Sequence, residues 1–242
     1  MAKSLTEVAF SVSSVYYQLP YISYYLRSFT TKAAIQSMDI KALPKLVVFD
    51  LDQCLWSPEM YTLSVVPTKD NAKLGRLGNF GDGAVGVCSG REVIQLFPGA
   101  LKVLQDIYLD KYPGMRIAAA SSADTPLAVR IGKAAMNILE ILPGVTMRMV
   151  FAKGWDDGYV GNIQIGRTPP LSSDKASTHF PILRQATNME YTDMLFFDDC
   201  LWGDHCGRVE KHCPGVVAVR TPDGLSEKEW QEGLQKYSQR YS

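Results

Sequence analysis

Short apolar runs that end abruptly in acids or hydroxyls, separated by stretches of helical spacing, constrain this chain more than any other feature. Leu46-Val47-Val48-Phe49 is the first such run, and it leads straight into Asp50-Leu51-Asp52. Four consecutive apolar residues against a polar turn suit a strand buried on both faces. Met115 to Ala120 is a second run, ending at Ser121-Ser122, and Met194-Leu195-Phe196-Phe197 is another, ending at Asp198-Asp199. Met149-Val150-Phe151 and Val216-Val217-Ala218-Val219 complete the expected strands.

Helical patterns lie between these runs. Gly99 to Tyr112 carries Leu101, Leu104 and Tyr108 at helical spacing. Thr125-Pro126 reads as an N-cap followed by proline at the first helical position. The helix it opens would carry Leu127, Ile131, Ala135, Ile138 and Leu142 on one face and stop at Pro143-Gly144. Ser226 with Glu229 three residues on is a capping box for the last helix. Strands alternating with helices predict an α/β fold: a Rossmann-like, three-layer α/β/α sandwich with a mainly parallel sheet. Ligands of such sheets bind beyond the carboxyl ends of the strands. Asp50 and Asp52, Ser121 and Ser122, and Asp198 and Asp199 all fall there.

Composition narrows the class. The 25 basic and 25 acidic residues cancel, so no electrostatic footprint for a nucleic acid is present. Cys54, Cys88, Cys200, Cys206 and Cys213 are odd in number and form no C-x-x-C, which speaks for a reducing compartment over a secreted disulfide framework. Residues 1–42 stand apart: before Asp39 the only acid is Glu7. Such an acid-poor, hydroxyl-rich leader is either an organelle transit peptide (chloroplast or mitochondrion) or a disordered extension or surface helix on a cytoplasmic protein. The uncharged stretch Val8 to Leu26 is interrupted by Gln18, Pro20, serines and tyrosines, so no membrane span is expected. Residues 43–242 form the expected main domain, a monomer.

Several features invite chemistry without supporting it. Ser57 to Gly90 reads as a long loop or a small hairpin, too short for a large cap over the site. Its Gly81-Asp82-Gly83-Ala84-Val85-Gly86 has the G-x-G-x-x-G form but lacks the strand before and the helix after that a dinucleotide needs. His205-Cys206 and His212-Cys213, with Cys200, match no zinc-finger spacing and read as packed side chains. His179 reads as a helix-start residue. Trp56 stands either at the entrance of a site or in the core.

The acid pairs are harder to set aside. Two carboxylates at one strand end repel, and burying them is costly unless a cation compensates. Hard oxygens without a nearby imidazole suit Mg²⁺, and Asp198-Asp199 offer further oxygen ligands.

The sequence Val47 to Trp56, with its F-D-L-D-x-x-L-W form, resembles the D-x-D motif of the magnesium-dependent phosphatases of the haloacid dehalogenase superfamily. The likeness runs on through Ala118-Ala119-Ala120-Ser121, Lys175 with His179-Phe180, and Phe196-Phe197-Asp198-Asp199. It implies a haloacid dehalogenase-like fold without a large cap. It also implies a phosphatase that passes through an aspartyl-phosphate. Asp50 would be the nucleophile and Asp52 the acid and base, with Leu51, Ser121, Ser122 and Lys175 on the substrate. Asp50, Asp52, Asp198 and Asp199 would hold Mg²⁺, with the direct ligand of the second pair left open. Substrates would be phosphotyrosine on proteins or small sugar phosphates. Three departures stand out. Ser122 occupies a position where relatives carry arginine, and Cys54 one where threonine is usual. Lys175 lies four residues before His179 instead of three, which leaves Lys153 as an alternative. A catalytically weak phosphate- or phosphoprotein-binding protein, or a phosphotransferase, is the competing reading.

Overall fold

The computed structural model describes residues 40–242. The expected leader over 1–42, with its uncharged stretch, lies outside them apart from its last three residues. From Ile40 the chain is packed on the domain: the backbone N–H groups of Lys41 and Ala42 donate to the Ser238 hydroxyl at 2.8 and 3.3 Å. Among the described residues no helix is long and apolar enough to cross a membrane.

The first half of the domain holds strands β1 (Leu46–Phe49), β2 (Trp56–Ser57), β3 (Ala72–Arg76), β4 (Asp82–Ser89) and β5 (Glu92–Leu96). Helix α1 (Pro98–Tyr108), β6 (Arg116–Ser121), α2 (Pro126–Ile138), β7 (Glu140–Leu142), β8 (Val145–Thr146) and α3 (Met147–Ala152) follow. The chain ends with β9 (Ile163–Ile165), α4 (His179–Thr187), β10 (Met194–Asp198), α5 (His205–His212), β11 (Val217–Arg220) and α6 (Glu227–Tyr241).

Five strands form the main sheet in the order β11-β10-β1-β6-β9, all parallel. Side chains alternate across a strand, and both faces are apolar. Val47, Phe49, Ile117, Ala119, Leu195 and Phe197 share one core with residues of α1, α2, α3 and α6. Leu46, Val48, Ala118, Ala120, Met194 and Phe196 share the other with residues of α4 and α5. That is why the strands read as unbroken apolar runs, and it gives the three-layer α/β/α sandwich expected.

The caps act locally as anticipated. The Thr125 side chain accepts from Ala128 N at 3.0 Å, and Ser226 and Glu229 form a capping box. Two expectations fail. Met149-Val150-Phe151 belongs to a helix, not a strand. Thr146 caps it, and only Met147, Val150 and Phe151 are buried, a one-face helical spacing. The α2 helix ends at Ile138, not Leu142; Ile141 and Leu142 turn into a short hairpin whose Glu140 carboxylate accepts from Ala84 N at 3.1 Å.

Of the loop or small hairpin expected over Ser57 to Gly90, the hairpin is found, β3 paired with β4. With β2 and β5 it extends to a four-stranded antiparallel sheet, β2-β5-β4-β3. Its glycines permit close packing. A Cβ at Gly83 would fall 2.5 Å from Leu77 Cδ1.

Candidate active site

The strand at the centre of the sheet sets the location. From β1 the chain builds outward through β6 and β9, then returns to place β10 on the other side of β1. Such a reversal opens a crevice at the carboxyl ends of the strands. Phe49 is in register with Phe197 on one side and Ala119 on the other. The next residue, Asp50, therefore emerges beside Asp198, with its N–H donating to the Phe197 carbonyl at 2.9 Å.

A cleft of about 300 Å³ opens there, lined among others by Asp50, Asp52, Ser121, Ser122, Lys175 and Asp199. Of the residues singled out from sequence, Leu51 buries its side chain in the core and leaves its main chain between the two aspartates. Asp198 lies just beneath the lining, fully buried.

Lys175 is the buried hub, its ammonium 2.7 Å from Asp50 Oδ1 and 2.6 Å from Asp198 Oδ2. Burial would lower its pKa, but the two carboxylates, Asp198 first, hold it above the ordinary lysine value. Lys153, the alternative, lies elsewhere: it pairs with Asp110 at 2.6 Å. Asp198 is pushed up by burial, yet the Lys175 charge prevails and keeps it below the usual carboxylate value. Its second oxygen accepts from Cys200 N at 2.8 Å. Asp199 is raised by burial and by Asp198, and its Oδ2 accepts from Leu201 N at 3.2 Å.

One ammonium does not balance three carboxylates, and Asp50 carries the imbalance. Burial, Asp198 and Asp199 push its carboxyl well above the ordinary range against the pull of Lys175. Oxygens of Asp50, Asp198 and Asp199 lie within 4.8 Å of one another. A buried excess of hard anionic oxygens is what a hard divalent cation offsets, so this donor set fits Mg²⁺.

Asp52 is held differently. Its Oδ1 accepts from Trp56 Nε1 at 2.7 Å and its Oδ2 from Met60 N at 2.9 Å. The turn Gln53 to Leu55, with Gln53 at φ 56°, folds Trp56 back under it. Burial pushes the Asp52 carboxyl up to about 7, against those two donors. Trp56 is thus a core residue, fully buried and absent from the cleft lining, so of the two alternatives left open by sequence the core one holds. From there its indole orients an acid of the cleft.

His179 starts α4 as expected and is fully buried, its ring nitrogen 3.1 Å from the Ser121 carbonyl. Burial, with Lys175 and His205 facing it, depresses its pKa to about 4. An unfolded histidine takes a proton near 6.5, so this part of the stability is complete above that value and is lost as pH falls toward 4. The loss is at most about 3 kcal/mol. Urea unfolding between pH 7 and 4.5 should show this slope in wild type and a flatter one in His179→Gln. The same slope in both would exclude His179 as its source.

Sequence reasoning missed the rim. Glu59, Tyr61, Asp124, Arg167, Trp202 and His205 also line the cleft. Tyr61 and Trp202 are 47% and 69% exposed and meet edge to face at 6.1 Å. Trp202 Nε1 donates to Glu59 at 2.9 Å. Exposed aromatics just after two acid motifs were the available signal. All five cysteines are free, and among the described residues the metal-competent cluster is the aspartate trio, not the His-Cys pairs.

The family model described as Acid Phosphatase matches residues 42–240. No curated protein matches the chain. The N-terminal part of protein BF1531 from Bacteroides fragilis, which contains a phosphatase domain and was crystallised with Mg, is 17% identical with a TM-score of 0.43. That match covers 86% of this chain and 42% of the other, so the chain spans less than half of it. CbbY from Rhodobacter sphaeroides, in complex with phosphate, is 13% identical with a TM-score of 0.40, over 74% of this chain and 87% of its own.

Proposed function

This chain belongs to the acid phosphatase family, and from that premise we propose that it is a Mg²⁺-dependent phosphomonoesterase with Asp50 as nucleophile. The observation that carries the reading is the convergence of Asp50, Asp52, Ser121 and Lys175 on one cleft. The two oxygens of Asp50 divide the work. Oδ1 is bound to Lys175, which leaves Oδ2 to attack phosphorus and form an aspartyl-phosphate. That splits one difficult displacement into two easier ones.

Asp52 gives its proton to the leaving oxygen and takes one from water in the second step. A carboxyl near 7 suits both duties. The Ser121 hydroxyl and the N–H groups beyond β6 donate to the phosphoryl oxygens, and Lys175 offsets charge on Asp50 and the phosphate. Asp50, Asp198, Asp199 and the Asp52 carbonyl would hold Mg²⁺. Of the second pair, Asp199 has the more available oxygen, since both Asp198 oxygens already have partners. Bound Mg²⁺ would supply positive charge against the phosphoryl oxygens.

The exposed pair Tyr61 and Trp202 at the mouth favours an aryl leaving group, such as phosphotyrosine, over a sugar phosphate. Purified protein should release phosphate from an aryl phosphate with Mg²⁺ and stop on chelation. Asp52→Asn should lower kcat about 10²- to 10⁴-fold, more for alkyl than aryl esters, with Mg²⁺ affinity little changed. Absence of Mg²⁺-dependent turnover would refute the phosphatase reading; equal losses of rate and metal affinity would refute the role of Asp52.

A further inference from the structure

Charge at the mouth of the cleft is lopsided. The lining carries Asp50, Asp52, Glu59, Asp124 and Asp199 against Lys175 and Arg167. Lys175 is engaged by Asp50 and Asp198. An approaching phosphate ester therefore meets one lining cation outside any ion pair among the described residues, and that cation is Arg167.

The fold aims this side chain. Ile165 at the end of β9 is in register with Ser121, and Gly166 N donates to the Ser121 carbonyl at 2.9 Å. Gly166 sits at φ 134°, a conformation side-chain-bearing residues rarely adopt. The turn it makes brings Arg167 alongside residue 122. Arg167 Nε donates to the Ser122 carbonyl at 2.6 Å. A guanidinium has five N–H donors in a rigid plane, so anchoring Nε orients the fork and leaves its two terminal amino groups for a ligand.

We propose that Arg167 binds the phosphoryl oxygens of the substrate, supplying from a neighbouring strand the cation that position 122, a serine, does not. The proposal rests on the phosphatase reading. Its chemistry is the bidentate match of guanidinium to phosphate.

Titration of inorganic phosphate in the presence of Mg²⁺, beside steady-state kinetics on an aryl phosphate, tests it. Arg167→Ala should weaken phosphate binding and raise KM about tenfold to a hundredfold, with kcat little changed, as expected for a contact made equally in ground and transition states. Arg167→Lys should recover part of the loss. The double variant Arg167→Ala/Ser122→Arg should recover most of it, because it restores the cation but not the tether to the Ser122 carbonyl.

Phosphate binding by Arg167→Ala within twofold of wild type would overturn the proposal. So would a loss that neither lysine nor the double variant repairs, since Arg167 would then only hold the loop. A wild type that binds phosphate through Arg167 but never turns over would sink the phosphatase reading alone. Turnover and binding indifferent to Arg167 would sink this inference alone, and a wild type that neither binds phosphate nor turns over would sink both.

Discussion

Replacing Asp50 with asparagine should abolish turnover, by about 10⁴-fold or more, while leaving the metal-free protein at least as stable as wild type. The first half follows from the proposed nucleophile: an amide oxygen does not form the covalent intermediate. The second follows from the charges. In the metal-free site Asp50 is buried and pushed toward protonation by burial and by Asp198 and Asp199. The amide can still accept from Lys175 in place of Oδ1, and Lys175 keeps its partner in Asp198. Removing an under-compensated buried charge is neutral or favourable. Phosphate release and thermal unfolding in chelator should therefore move apart. A variant that keeps a substantial rate would remove Asp50 from the chemistry. One that is inactive because it has unfolded would contradict the charge accounting.

Lys175→Met should act in the opposite sense on stability. It removes the one buried ammonium from between two carboxylates, and breaking a buried ion pair by deleting one partner costs about 3–5 kcal/mol. The pH dependence reveals the cause. Without the lysine, the native carboxyls of Asp50 and Asp198 rise above their unfolded values, near 3.9. The folded state then binds more protons than the unfolded state, so stability is greatest in acid and falls as pH climbs through the raised values. Mg²⁺ should restore part of the loss at neutral pH, by about 2.7 kcal/mol when present at a hundred times its Kd. Denaturant unfolding across pH, with and without Mg²⁺, measures all three effects. A variant as stable as wild type in chelator at pH 7 would show that Lys175 does not hold the site together.

These two substitutions probe one design from both sides. The site concentrates negative charge where the proposed reading puts a phosphoryl group and a cation, and Lys175 lies between two of its carboxylates. Asp52 stays outside this electrostatic knot. It is fixed by neutral donors, Trp56 Nε1 and Met60 N, and its proton responds chiefly to burial.

Much of this was legible in the chain, where physics is local. Leu46 to Phe49 had to be a buried strand because four apolar residues in a row fit neither an exposed strand nor a loop. Thr125-Pro126 and Ser226 with Glu229 announced helix starts, because capping is settled within four residues. The placing of Asp50, Ser121 and Asp198 at strand ends followed from strands alternating with helices, whereas Lys175 was singled out by the family resemblance.

Elsewhere local pattern was ambiguous. Three apolar residues at Met149 to Phe151 satisfy a strand or one side of a helix equally well. Ile163 to Ile165 is too short and too polar to stand out, so Arg167 beyond it was invisible as a site residue. The glycines between Ser57 and Gly90 left a loop and a hairpin both open, because composition does not distinguish a flexible residue from one crowded by its neighbours.

The sequence alone determined the layered α/β class and the acids and hydroxyls at the strand ends, since these depend on spacing and residue type. The cation among them was implied by the family resemblance, with two lysines left open. Tertiary structure decided which lysine meets Asp50, which side chain orients Asp52, and where a second cation faces the mouth. The first and last are contacts between segments far apart in the chain, which depend on which strands become neighbours. The Trp56–Asp52 contact spans only four residues but depends on how the turn after β1 folds.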